Sequence, residues 1–227
     1  MKLCVALDLG SAEENLAIVE KLSGLDLWFK IGLRGFIRDG WRFVDSVKRL
    51  SGAPIFLDLK LCDIPNTTAD AALAIAEGGA DMFNLHASAG IRAMSAVMDR
   101  LSALKTRPLV LAVTALTSFS AEEFAAIYNQ PIENAAIAMA KSAQSAGLDG
   151  AVCSVYESRA IKAACSEACI TLCPGARFEG GETDDQSRVA TPQTARQERC
   201  DFIVMGRPIL RASDPKAAAL QALSAFC

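Results

Sequence analysis

The sequence predicts an α/β fold: a (β/α)8, or TIM, barrel built as a single domain over residues 1–227. Short apolar runs alternate with longer segments of helical period along the whole chain. Eight such runs can be read, the number of strands that closes a parallel barrel. They are near-continuous in Val, Ile and Leu rather than alternating with polar residues, as strands covered on both faces require. No linker, low-complexity tract or shift in composition divides the chain.

The first run, Leu3–Leu7, is stopped by Asp8. That is too short for the apolar stretch of about 7–15 residues in a secretion signal, so it reads as a buried strand. Ser11 is placed to cap a helix ending near Ser23-Gly24, with Leu16, Val19 and Leu22 on one stripe. Strands are expected at Leu27–Ile31 and Ile55–Leu59. Asn66 is expected to cap Thr67–Glu77, whose Ala69, Ala72, Leu73 and Ala76 share a face before Gly78-Gly79 ends it. Strands at Met82–Leu85 and Leu109–Val113 precede a helix over Ile132–Ala146, closed by Gly147. Gly150–Cys153, Ile170–Leu172 and Phe202–Met205 complete the set. An open doubly wound sheet is the alternative. The first strand–helix turn, Asp8-Leu9-Gly10-Ser11-Ala12, lacks the glycine pattern of a dinucleotide site and favours closure.

Composition narrows the function classes. With 52% hydrophobic residues and 22% charged, the chain is neither disordered nor fibrous. No apolar run approaches the roughly 18 residues of a spanning helix. A net charge of −3 gives no electrostatic reason to expect nucleic acid or an anionic membrane. Of the eight cysteines, Cys165, Cys169 and Cys173 recur every four residues, but no Cys-x-x-Cys occurs and His86 is the single histidine. Buried, reduced thiols are expected rather than a metal or cluster site, and no metal or cofactor is expected elsewhere. With no secretion signal, the reducing cytosol is the expected location.

Active sites of such barrels lie at the C-terminal ends of the strands, and several strands here end in charge. Asp8 follows the first, Lys30 lies on the second, and Asp58 and Lys60 on the third. The period of two places Asp58 and Lys60 on one face and Leu57 and Leu59 on the other. If the leucines pack outward, the charges point into the barrel mouth. Buried charges must neutralise one another, and Lys30 on the neighbouring strand completes a Lys–Asp–Lys array. Phe202–Met205 runs into Gly206-Arg207, where backbone amides and a guanidinium fork suit a phosphate. The polar, Gly-containing segment from Pro174 to Gln186 reads as a lid beside that site.

These residues also carry a resemblance. Asp58-Leu59-Lys60-Leu61-Cys62-Asp63-Ile64-Pro65-Asn66-Thr67 follows the Asp-x-Lys-x-x-Asp-Ile-Pro-Asn-Thr pattern of the orotidine 5′-monophosphate decarboxylases. The resemblance continues, in family order, through Asp8, Lys30, Asn84-Leu85-His86-Ala87-Ser88 and Val113-Thr114-Ala115-Leu116-Thr117-Ser118. Pro174-Gly175-Ala176-Arg177, Asp185-Gln186 and Gly206-Arg207 extend it over nearly the whole chain. Leu61-Cys62 departs from the family's aromatic–His pair, and Phe178 from a frequent proline.

The resemblance implies decarboxylation of orotidine 5′-monophosphate to UMP without a cofactor, in a homodimer. It implies that Lys60 donates the proton, Asp58 neighbours the departing carboxylate and Lys30 organises the array. Asp8 would contact the ribose, and Thr117 the pyrimidine. Gln186 would bridge base and phosphate, with Arg177, Gly206 and Arg207 on the phosphate. Asp63, a further member of the catalytic set, would reach the neighbouring subunit's site with Ile64 and Thr67. The nearest rival is a sugar-phosphate lyase of the same superfamily, which would share Asp-x-Lys-x-x-Asp but use a metal-stabilised enediolate. The Ile64-Pro65-Asn66-Thr67 continuation and the Thr117 and Gln186 pair favour the pyrimidine. A non-catalytic phosphate sensor is a second rival, against which Lys60 and Asp58 both stand.

Overall fold

The computed structural model describes residues 1–180 and 188–226. Eight parallel strands close into a barrel in chain order, with β8 pairing back onto β1. The chain runs β1 (Lys2–Leu7), α1 (Ala12–Leu22), β2 (Trp28–Gly32), α2 (Leu33–Ser51), β3 (Ile55–Leu61) and α3 (Pro65–Glu77). It continues through β4 (Met82–His86), a 3-10 turn at Ala87–Ala89, α4 (Ile91–Leu101), β5 (Leu109–Val113), α5 (Ala121–Tyr128) and α6 (Ile132–Ser145). The last quarter is β6 (Gly150–Val152), α7 (Val155–Ala164), β7 (Ile170–Cys173), α8 (Pro192–Gln197), β8 (Phe202–Met205), α9 (Arg207–Leu210) and α10 (Pro215–Ser224). All eight expected strands are present, β5 and β8 with the expected bounds and the others with one or both ends shifted by a residue or two.

Local chemistry fixes the helix ends. Ser11 caps α1 as expected: its hydroxyl accepts from the Glu14 N–H, and the Glu14 carboxylate accepts from the Ser11 N–H at 2.9 Å. Asn66 does not cap α3. The helix starts at Pro65, with Ile64 in the extended capping position. Proline's fixed φ suits a first helical turn and forces its predecessor out of helical geometry, so the boundary falls one residue ahead of the asparagine. Gly40, at φ 60° and ψ −153°, breaks α2 internally.

Strand parity sorts the core into two layers. Leu3, Val5, Leu57, Phe83 and Leu85 point outward, where the helices cover them. Phe56, Met82, Leu111, Val113, Leu172 and Val204 fill the barrel itself. Near its floor Trp28 meets Phe202 edge to face, with centroids 5.3 Å apart. Strands β6 and β7 approach so closely that a Cβ on Gly150 would sit 2.0 Å from the Ile170 carbonyl oxygen, so only glycine fits.

The opposite end from the strand C-termini carries a repeated clamp. Asp81, Asp149 and Asp201 immediately precede β4, β6 and β8. Each accepts a backbone N–H at 2.8 Å from the preceding odd strand: Ile55, Val110 and Thr171 respectively. Each also pairs with a cation, Lys48 at 3.2 Å, Arg107 at 2.6 Å and Lys162 at 2.7 Å. Stability features thus gather at one end, leaving the other end for ligand chemistry.

Cys165, Cys169 and Cys173 lie at the end of α7, in the following loop and on β7, so their even spacing does not become one helix face. Burial pushes the Cys169 thiol up to about 12. The seven described cysteines are free thiols. Among the described residues no group of three or more His, Cys, Asp or Glu side chains is arranged to hold a metal ion. No described helix is long and apolar enough to cross a membrane.

Candidate active site

The barrel opens at the strand C-termini into a cavity of about 440 Å3, within the usual range for small-molecule sites. Its wall includes Asp8 after β1, Lys30 on β2, and Asp58 and Lys60 on β3. Thr117 lies beyond β5, Arg177 beyond β7, and Gly206 and Arg207 beyond β8. Val113, Val152 and Leu172 supply apolar wall between these polar groups.

The charged array is built by neighbouring strands. Asp58 is buried beside Phe56 on the inward parity of β3, and its register partner on β2 is Gly32. One carboxylate oxygen takes the Lys30 amine at 2.9 Å, and the other takes the Lys60 amine at 2.7 Å. Burial alone would raise the Asp58 carboxyl, but the two lysines hold it well below the usual carboxylate range. Burial likewise opposes charge on Lys30, and Asp58 reverses the balance, keeping that amine protonated above its ordinary range. The result is a +/−/+ array in which the two lysines hold Asp58 ionised and Asp58 holds Lys30 protonated.

Lys60 reaches this position through a backbone irregularity. The β3–β4 register shifts between Leu57 and Leu61, and Lys60 adopts φ 53°, a left-handed conformation rare for residues other than glycine. The freed Lys60 N–H donates to the side-chain oxygen of Asn84 at 2.8 Å. Asn84 is fully buried on β4, and its amide nitrogen donates to Asp58 Oδ1 at 2.8 Å.

Arg177 and Arg207 line the cavity from beyond β7 and β8. Arg177 is buried, and its guanidinium donates to the Ala176 carbonyl at 3.0 Å while its backbone N–H reaches the Ala190 carbonyl at 2.9 Å. Gly206 precedes α9 at φ −111°, and a Cβ there would sit 3.5 Å from Ala6, an ordinary contact. Packing therefore does not demand glycine at this point. Two arginines to which the sequence assigned no role, Arg34 and Arg211, also line the mouth. Arg34 donates to the Asp8 carbonyl at 3.3 Å.

Asp63, Ile64 and Thr67 do not line the cavity of their own chain. All three are exposed, Ile64 by 67%, and Asp63 accepts the Ile64 N–H at 2.6 Å. Gln186 lies outside the described residues, as does much of the expected lid. Asn84 belongs to the matched block, yet the resemblance attached no role to it. Its signal is parity: a polar side chain at an inward position between Met82 and His86, opposite Asp58.

Comparison with known proteins adds to this geometry. Residues 1–222 match the model of the Orotidine 5′-phosphate decarboxylase / HUMPS family. The chain is 55% identical over 216 residues to "Orotidine 5′-phosphate decarboxylase" of Campylobacter concisus (strain 13826), covering 95% of this chain and 96% of that one. It is 57% identical over 217 residues to the protein of the same name from Sulfurovum sp. (strain NBC37-1), covering 95% and 94%. A crystal structure of orotidine 5′-phosphate decarboxylase from Lactobacillus acidophilus superposes with a TM-score of 0.86 at 33% identity, covering 99% of this chain and 98% of that one. The chain belongs to the Orotidine 5′-phosphate decarboxylase / HUMPS family.

Proposed function

We propose that this protein decarboxylates orotidine 5′-monophosphate to UMP, a step of pyrimidine biosynthesis, with Lys60 as proton donor. The observation that carries this reading is the Lys30–Asp58–Lys60 triad at the strand C-termini, a buried carboxylate between two half-buried amines with spacings of 2.9 and 2.7 Å.

The chemistry asks for such an array. When the C6–carboxylate bond breaks, CO2 departs and the bonding pair stays on C6 in an sp² orbital orthogonal to the ring π system. Resonance into the carbonyls is then poor. A fixed ammonium beside C6 stabilises the pair as it forms, then transfers a proton to it, and water reprotonates the amine. Lysine suits the task because its charge is compact and can be given up, unlike that of arginine. Asp58 orients the amine and lies by the departing carboxylate. Because the triad is held before substrate arrives, little reorganisation accompanies the step.

The remaining roles are those that the family resemblance implies, and the cavity wall holds Asp8, Thr117, Arg177, Gly206 and Arg207 among them. Asp8 suits the ribose and Thr117 the pyrimidine. Gly206, Arg177 and Arg207 suit the phosphate, whose remote binding energy helps assemble the site. Gln186 would join base to phosphate. Asp63, Ile64 and Thr67 suit a neighbouring subunit's site in a homodimer, since they are exposed and off their own cavity.

The test is the absorbance change on conversion of orotidine 5′-monophosphate to UMP, followed with and without EDTA. Turnover is expected in both, and Lys60→Ala is expected to lower kcat by about 10⁴-fold or more while still binding UMP. Activity that vanishes with EDTA would point to metal-assisted chemistry instead. Near-normal turnover by Lys60→Ala would remove Lys60 from the proton-transfer role.

A further inference from the structure

The triad has a fourth participant that carries no charge. Asn84 is fully buried at the centre of β4, and its carboxamide bridges the two ends of the Asp58–Lys60 unit. Its amide nitrogen donates to Asp58 Oδ1 at 2.8 Å, the same oxygen that holds the Lys60 amine at 2.7 Å. Its oxygen accepts the Lys60 backbone N–H at 2.8 Å. The orientation of the amide is dictated by chemistry: an ionised carboxylate only accepts and a peptide N–H only donates. Asn84 thus holds the Lys60 backbone directly and the Lys60 amine through Asp58.

The grip falls where the backbone would otherwise be least determined. The β3–β4 register is interrupted from Leu57 to Leu61, so no ladder bond holds the Lys60 N–H. At φ 53°, Lys60 has left the extended conformation that would carry its side chain along the strand. An isosteric leucine at 84 would leave both the N–H and the carboxylate oxygen without this partner. An aspartate would set a second negative charge at hydrogen-bond distance from Asp58.

We propose that Asn84 is a positioning residue for the reaction: its carboxamide fixes the Lys60 amine against C6 by holding Asp58 on one side and the Lys60 backbone on the other. The inference rests on Lys60 being the proton donor, and it assigns Asn84 no contact with substrate.

The experiment compares Asn84→Ser and Asn84→Asp with wild type and with Lys60→Ala, in kcat, KM, UMP affinity and the pH dependence of kcat. A displaced amine is expected to lower kcat of Asn84→Ser by about 10²-fold, with KM and UMP affinity close to wild type. In Asn84→Asp, kcat is expected to rise as the pH is lowered and the new carboxyl takes up a proton. The protonated acid can again donate to Asp58, whereas wild type lacks this rise. A near-wild-type kcat in Asn84→Ser alongside an inactive Lys60→Ala overturns the positioning role and leaves the proposed function standing. An active Lys60→Ala overturns the function reading on its own. UMP affinity falling in parallel with kcat, or failure of both Asn84 variants to fold, makes Asn84 a scaffold residue and also overturns the inference.

Discussion

At the scale of single residues, the site works by making charge expensive to remove. Asp58 would be a poor anion in a dry barrel, yet two lysines at 2.9 and 2.7 Å hold it ionised. The same field reaches His86, at the inward end of β4. Burial first, and the Lys60 charge second, hold its imidazole below the ordinary 6.5. The folded chain therefore takes up this proton less readily than the unfolded chain, so stability falls as the pH drops below about 6.5. His86→Gln should flatten that part of the profile. Urea denaturation of both proteins between pH 5 and 7 checks it, and parallel profiles would refute it. Glu157, which burial raises, contributes a slope of opposite sign, but it is present in both proteins and cancels in the comparison.

At the scale of elements, the three aspartate clamps tie β3 to β4, β5 to β6 and β7 to β8. Asp149 shows the design most fully, accepting two guanidinium bonds from Arg107 at 2.6 and 2.9 Å and the Val110 N–H at 2.8 Å. Asp149→Ala should lower unfolding free energy by about 1–3 kcal/mol with kcat unchanged, because the clamp lies at the far end of β5 and β6 from the cavity. A changed kcat at unchanged stability would contradict this separation. The strands themselves were legible because parallel strands in a barrel are uniformly apolar, as Leu109–Val113 illustrates. Inward parity likewise makes Asp58 and Lys60 neighbours in the sequence pattern alone. Parity did not reveal the bulge, since nothing in Leu57-Asp58-Leu59-Lys60-Leu61 marks a register shift that depends on β4. The start of α3 was misplaced because a good capping residue, Asn66, stood beside a proline whose own geometry decides the matter. The clamps leave no mark in the sequence for a related reason: a lone Asp before a strand gains meaning only when its cation arrives from another element.

At the scale of the whole molecule, Ile64 and its exposed neighbours Asp63 and Thr67 stand off their own cavity, the placement expected of residues that serve a second copy. Purified Lys60→Ala and Asp63→Ala should each be impaired. Unfolded together and refolded as a mixture, they should recover about one quarter of wild-type turnover, because each mixed dimer holds one undamaged site. A mixture no more active than its components would place Asp63 in its own chain's chemistry. The turn of Lys60 into left-handed backbone has a consequence for inheritance as well as for catalysis. Both Lys60→Ala and Lys60→Gly lose the amine, but glycine adopts φ 53° without the Cβ clash, so it should be more stable than alanine by about 1 kcal/mol. Thermal melts of the two variants measure that difference. A descendant released from selection for turnover would thus find glycine a comfortable substitute at this position. A relative with glycine in place of the lysine, and the rest of the barrel intact, would be the mark of a lineage that kept the architecture and abandoned the reaction.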